Sequence, residues 1–178
     1  MLEKPDKDLA EAAKRGDGDC FTELCGRYYA VMVAIAHSII GDKHLAEDAA
    51  QQAFATAAIK LPELRHCEKF ASWLGVICRN AANDIGRKQR VVFNVDNFLS
   101  LPAKQNGSRD TAAISEAVSR LTPEAREAIY LRYYDGLTYQ RISKVLGISE
   151  EAINGRLRRA KEKIAEHLRR SGFSEEDL

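Results

Sequence analysis

Residues 137–168 read LTYQRISKVLGISEEAINGRLRRAKEKIAEHL. This stretch predicts two helices joined by a tight turn. Thr138 is placed to cap the first helix, where Ile142, Val145 and Leu146 recur three and four residues apart. Gly147 ends that helix, because glycine adopts the left-handed C-terminal conformation without a Cβ penalty. Ile148 fills the turn and Ser149 can cap the second helix. Ala152, Ile153, Leu157, Ala160, Ile164 and Leu168 then make one apolar stripe. Arg156, Arg158, Arg159, Lys161 and Lys163 load the other side. Such a helix can pack inward on its partner while its cations reach phosphates and base edges in a major groove. A helical hairpin with a merely solvated basic face would satisfy the same pattern.

Upstream, the sequence predicts more helix and no strand. In LTPEAREAIYLRYYDG, Thr122 is an N-cap, Pro123 opens the helix, Glu124 sits in its first turn and Gly136 closes it. A helix over about 112–120 precedes it. Residues 6–89 read as nearly continuous helix, with Asp6 capping the first segment and Gly16-Asp17-Gly18 forming a break. A second helix to Ile40 carries Phe21, Leu24, Tyr28, Val31, Ile35 and Ile39 at helical spacing. After Gly41 and a cap at Asp42, the third helix turns Leu45, Ala49, Phe54 and Ile59 inward and Glu47, Asp48, Gln51 and Gln52 outward. Residues 61–69 form a loop. A fourth helix, from near Glu68 to about Gln89, buries Phe70, Trp73, Leu74, Ile77, Ala81 and Ile85. Its polar side holds Arg79, Asn80, Asn83, Asp84, Arg87, Lys88 and Arg90. Aromatic, amide and cationic groups together suit a surface for unpaired bases, which stack, pair and track phosphate respectively. Core packing is an equal claim on Trp73.

The composition shifts at VVFNVDNFLSLPAKQNGSR, which has no sustained period and reads as a linker. The chain thus divides into an all-α domain at 1–90, a flexible linker at 91–111 and a second small helical domain at 112–178. About twenty extended residues span roughly 65 Å, the length of about 19 base pairs of duplex.

With 178 residues, 45% hydrophobic and 30% charged, the chain can bury real cores. Its net charge of +1 gives little whole-chain attraction to nucleic acid, so DNA binding would rely on a partner. The longest apolar run, Ala30 to Ile40, is too short to cross a bilayer, and the polar N-terminus is unlike a signal peptide. A cytoplasmic protein without membrane insertion is expected. Cys20, Cys25, Cys67 and Cys78 form no CxxC pair, and His37, His44, His66 and His167 are scattered. Free thiols are expected, with no metal, no cofactor and no catalytic constellation.

Three motifs in this order resemble those of bacterial RNA polymerase sigma factors of the extracytoplasmic-function class. GDKHLAEDAAQQAFATA is similar to the family's polymerase-binding segment and FASWLGVICRNAANDIGR to its promoter-melting segment. LTPEAREAIYLRYYDGLTYQRISKVLGISEEAINGRLRRAKEKI is similar to its region 4 throughout. The resemblance covers nearly the whole chain. It implies a transcription initiation factor that binds core RNA polymerase and promoter DNA and is controlled by an anti-sigma factor.

The resemblance also implies residue roles. Asp48, Gln51, Gln52 and Phe54 would dock on the coiled coil of the polymerase's largest subunit. The 61–69 loop and the start of the fourth helix, with Trp73 and Asn80, would hold a base flipped from the −10 element. Arg79, Arg87 and Lys88 would hold that strand's phosphates. Asn154, Gly155, Arg158 and Arg159 would read the −35 element, with Arg156 and Lys161 near its phosphates. Gln52 stands where the family usually has an acid, and Ala58 where it usually has Trp. Asn154-Gly155 replaces a frequent basic-residue-and-Ser pair, although Gly inside a helix costs about 1 kcal/mol. An unusual −35 sequence, or closer approach of the helix backbone to DNA, is the expectation. Gly86 interrupts the basic cluster where the family often has an arginine run.

An autonomous helix-turn-helix regulator is the alternative. It uses only the last third of the chain and leaves the Asp48–Phe54 and Phe70–Arg90 helices without a role.

Overall fold

A computed structural model describes residues 4–96, 109–134 and 136–173. Those residues are helical, with no strand among them. The first unit contains α1 (Asp6–Lys14), α2 (Gly18–Ile40), α3 (Lys43–Lys60) and α4 (Phe70–Asp96). Two short 3-10 turns, Leu61–Glu63 and Cys67–Lys69, lie between α3 and α4. The second contains α5 (Arg109–Ser119), α6 (Pro123–Ile129) continued by a π-helical turn Tyr130–Tyr134, α7 (Tyr139–Leu146) and α8 (Glu150–Arg170).

Local chemistry sets most boundaries. Asp17 accepts from the Cys20 N–H at 3.0 Å and Asp42 from the Leu45 N–H at 3.0 Å. Thr122, Thr138 and Ser149 cap α6, α7 and α8 through their hydroxyls. Each such cap contributes about 1 kcal/mol. Gly41 at φ +79° and Gly147 at φ +68° end α2 and α7 in the left-handed region.

Several expectations need correction. Asp6 does not cap α1 but is its first helical residue. Its carboxylate accepts from Arg27 Nη1 at 2.9 Å and from the Tyr28 hydroxyl, so tertiary partners outcompete the local backbone. Gly18 belongs to α2, so the break is Arg15, Gly16 and Asp17. The fourth helix runs to Asp96, six residues into the stretch read as linker. The reach of the 97–108 segment lies outside the described residues. Ile59 is 80% exposed. The inward stripe of α3 is Ala46, Ala49, Ala50, Ala53, Phe54 and Ala57, and Ile59 falls about 200° beyond Ala57. Ala152 is exposed in the first turn of α8, before the helix meets its partners.

The alanine stripe lets α3 approach both α2 and α4 closely. The centre is filled by larger groups: Leu24, Met32, Ile35, Phe70 and Leu74 are fully buried. Each contributes about 1.5–3 kcal/mol relative to exposure. All four cysteines are free. Cys78 Sγ donates to the Met32 carbonyl at 3.2 Å, and burial pushes its thiol up to about 12. The second unit seats on the first, α7 against α4 and α6 with its π turn against α2. No helix among the described residues is long and apolar enough to cross a membrane.

Candidate nucleic-acid interface

The helix-turn-helix is built on α7 and α8. Ile142, Val145, Ile153 and Leu157 are at most 2% exposed and lock the two helices together. The turn is tied from inside: the Gly147 N–H donates to the Ser143 carbonyl at 2.8 Å, and the Ser143 hydroxyl to the Ile148 carbonyl at 2.6 Å. This fixes the angle at which α8 is presented.

The outward face of α8 carries Asn154, Arg158, Arg159 and Lys161 exposed, with Gly155 and Arg156 half-buried beside them. Arg158 lies 4.0 Å from Glu162, with both side chains well solvated. Such a pair is worth little and leaves the guanidinium available. Arg159 lies beside Gly155, its Nη1 3.5 Å from where a Cβ would stand. Lys161 sits 5.1 Å above the Tyr133 ring, and the neighbouring Tyr133 hydroxyl raises the ammonium pKa.

On the first unit, a cavity of about 270 Å³ opens between the 3-10 turns and α4. Its walls include Arg65, His66, Lys69, Ser72, Trp73 and Arg79, with Leu146 of α7 closing one side. Trp73 is half-buried, its ring 5.9 Å from that of Phe70, so it joins the core while lining the cavity. Asn80 is exposed and does not line this cavity; it stands one turn beyond Val76, which does. Arg87 and Lys88 are exposed further along α4, with Arg87 paired to Asp84. Arg79 is turned elsewhere: its Nε donates to Glu127 of α6 at 2.8 Å. Burial raises the Glu127 pKa, against the partial opposition of the Arg79 charge.

The outer face of α3 brings together Asp48, Gln51 and Gln52, all exposed. Phe54 does not join them. At 100° per residue it lies about 120° away from Asp48, buried and stacked 6.4 Å from Tyr29. Ile59 does join them, about 20° from Asp48 and largely exposed. The signal that could have found it is angular: eleven residues return a helix almost to its starting face. The Arg79–Glu127 pair had no sequence signal, since 48 positions separate its members.

Comparison with known proteins places these surfaces in context. Residues 24–91 match the family Sigma-70 region 2, and residues 111–164 match Sigma-70, region 4. The ECF RNA polymerase sigma factor SigW of Bacillus subtilis is 26% identical, over 92% of this chain and 96% of its own. SigM of the same organism, also an ECF RNA polymerase sigma factor, is 31% identical over 71% of this chain and 82% of its own. The structure of CnrH in complex with the cytosolic domain of CnrY has the same fold, with a TM-score of 0.64 at 24% identity, covering 93% and 97% of the two chains. RpoE of Bartonella quintana, solved with the anti-sigma factor NepR, gives a TM-score of 0.55 at 25% identity, covering 84% and 96%.

Proposed function

Because this chain belongs to the extracytoplasmic-function family of RNA polymerase sigma factors, we propose that its two helical units divide promoter recognition between them. A sigma factor is a transcription initiation factor: it binds core RNA polymerase and directs it to promoters. The observation that carries the assignment is the presence of both regions, in order, in one chain that spans 96% of SigW. The helix-turn-helix-only reading has no use for the first unit, which one of these two matches covers.

In this proposal the second unit, from residue 109, reads the −35 duplex through Asn154, Arg158 and Arg159, with Arg156 and Lys161 on phosphates. The first unit, extending to Asp96, holds a flipped −10 base in the cavity edged by Trp73, with Asn80 at its margin. Trapping that base offsets the few kcal/mol needed to unstack and unpair it. Arg79, Arg87 and Lys88 follow the strand. Asp48, Gln51 and Gln52 dock on core polymerase, with Ile59 rather than Phe54 as the apolar member of that face. The chain has no catalytic role of its own, works in the cytoplasm, and is held inactive by an anti-sigma factor. Support for that last partner is the likeness to RpoE, solved with NepR.

Replacing Asn80 with Ala should slow strand opening about tenfold, the loss of about 1.4 kcal/mol of hydrogen bonding. Association with core polymerase should be unchanged. Permanganate reactivity of unpaired thymines over time reads the first, and co-elution with core polymerase reads the second. Loss of co-elution would mean that Asn80 is structural.

A further inference from the structure

We infer that Lys14 is a positioning residue for the flipped −10 base: its ammonium holds the 64–66 backbone that forms one wall of the cavity edged by Trp73. The inference rests on the base-trapping role proposed above. It adds that helix α1, which precedes the matched segment 24–91, sets the shape of that trap.

The wall is a joint between two short turns. The Leu61–Glu63 turn closes with the Leu64 N–H on the Leu61 carbonyl at 3.1 Å, and the Cys67–Lys69 turn with the Lys69 N–H on the His66 carbonyl at 3.0 Å. Leu64, Arg65 and His66 join them, and all three line the cavity. Leu64 is buried, while Arg65 and His66 are exposed. The Leu64 carbonyl accepts from Lys14 Nζ at 2.6 Å, across fifty positions of sequence. A peptide unit is planar, so holding its oxygen also sets the direction of the Arg65 N–H and Cα.

A lysine in the last turn of a helix ordinarily serves that helix's own terminal carbonyls. Here backbone groups meet them: the Ala12 carbonyl accepts from the Arg15 and Asp17 N–H groups, and the Ala13 carbonyl from Gly16. Lys14 is half-buried, and its ammonium reaches the loop instead. Such a charge-assisted bond is about twice as strong as a neutral one. Its base is firm. Leu9 and Ala10 of α1 are fully buried, and the helix packs on both α2 and the Cys67–Lys69 turn. The Lys14 strut therefore carries the rigidity of the core to the rim of the trap.

The probe is a promoter library randomised at both the −10 and −35 elements, transcribed by core polymerase with each chain and read by sequencing the products. Lys14→Met keeps an aliphatic stem and removes the ammonium donors. Its preference at the −10 base held in the cavity should fall about tenfold, because a small misplacement of a positioned group can cost that much or more. Its −35 preference, read by α8, should be unchanged. Lys14→Arg keeps a charged donor and should stay within about threefold of wild type at −10, since the bond to the carbonyl survives. Helical circular dichroism at the assay temperature checks that each chain is folded. If Lys14→Met does not fold, Lys14→Gln, too short to reach the carbonyl, takes its place.

A folded Lys14→Met chain with the wild-type −10 preference overturns the proposal. So does a parallel loss of −10 and −35 preference, or a Lys14→Arg chain no better than Lys14→Met, since either makes Lys14 a general stabiliser. Failure of both neutral substitutions to fold does the same. The wild-type chain separates the two levels. If it selects a −10 base and Lys14→Met selects it equally, only the strut fails. If it selects at −35 and shows no −10 preference, the base-trapping role itself fails.

Discussion

Replacing Arg158 and Arg159 together with Ala is expected to cut transcription from −35-dependent promoters by roughly 30-fold or more. Both side chains are exposed on the outward face of α8, away from the Ile153, Leu157 and Ala160 stripe that holds the helix in place. The fold should therefore survive, as helical circular dichroism would show. What is lost is contact with DNA. A good base-edge pair is worth about 1–3 kcal/mol, so two amount to about 2–6 kcal/mol. If either arginine instead lies on phosphate, the salt dependence of promoter binding should become shallower by about 0.9 per contact. Run-off rates at several salt concentrations separate these outcomes. Unchanged transcription would reject the assignment of both residues.

The largest stability effect is expected for Phe70→Ala. Phe70 opens α4 and is fully buried, its ring 6.0 Å from Tyr28 and 5.9 Å from Trp73. Truncation leaves a cavity among α1, α2 and α4, at about 3–5 kcal/mol. That is a large fraction of the 5–15 kcal/mol typical of a folded domain. It also removes the backing of Trp73, so the cavity should lose its shape before the unit melts. Thermal unfolding followed by circular dichroism measures the loss, and one below about 1 kcal/mol would contradict the packing described here.

These two sites differ in how they could be foreseen. Helix ends governed by neighbouring residues are legible in the sequence: the caps at Asp42, Thr122, Thr138 and Ser149 and the glycine stops at Gly41 and Gly147 need only local geometry. The cationic face of α8 is legible for the same reason. Asp6 reads as a cap but serves Arg27 and Tyr28, because a partner more than twenty residues away leaves no local trace. In α3 hydrophobicity misleads. Ile59 falls about 200° from Ala57 of the buried stripe and is turned outward, although it is more apolar than the alanines that face inward. The seating of the second unit on α4 is the least legible feature, resting on an absent Cβ at Gly75 beneath α7 and on the Arg79–Glu127 ion pair to α6.

As a sigma factor, this chain gives RNA polymerase its choice of start site. Run-off transcription by purified core polymerase on a promoter library, with and without this protein, tests it most directly. Discrete start sites should appear only when the chain is present. The same unselective products in both reactions would contradict it.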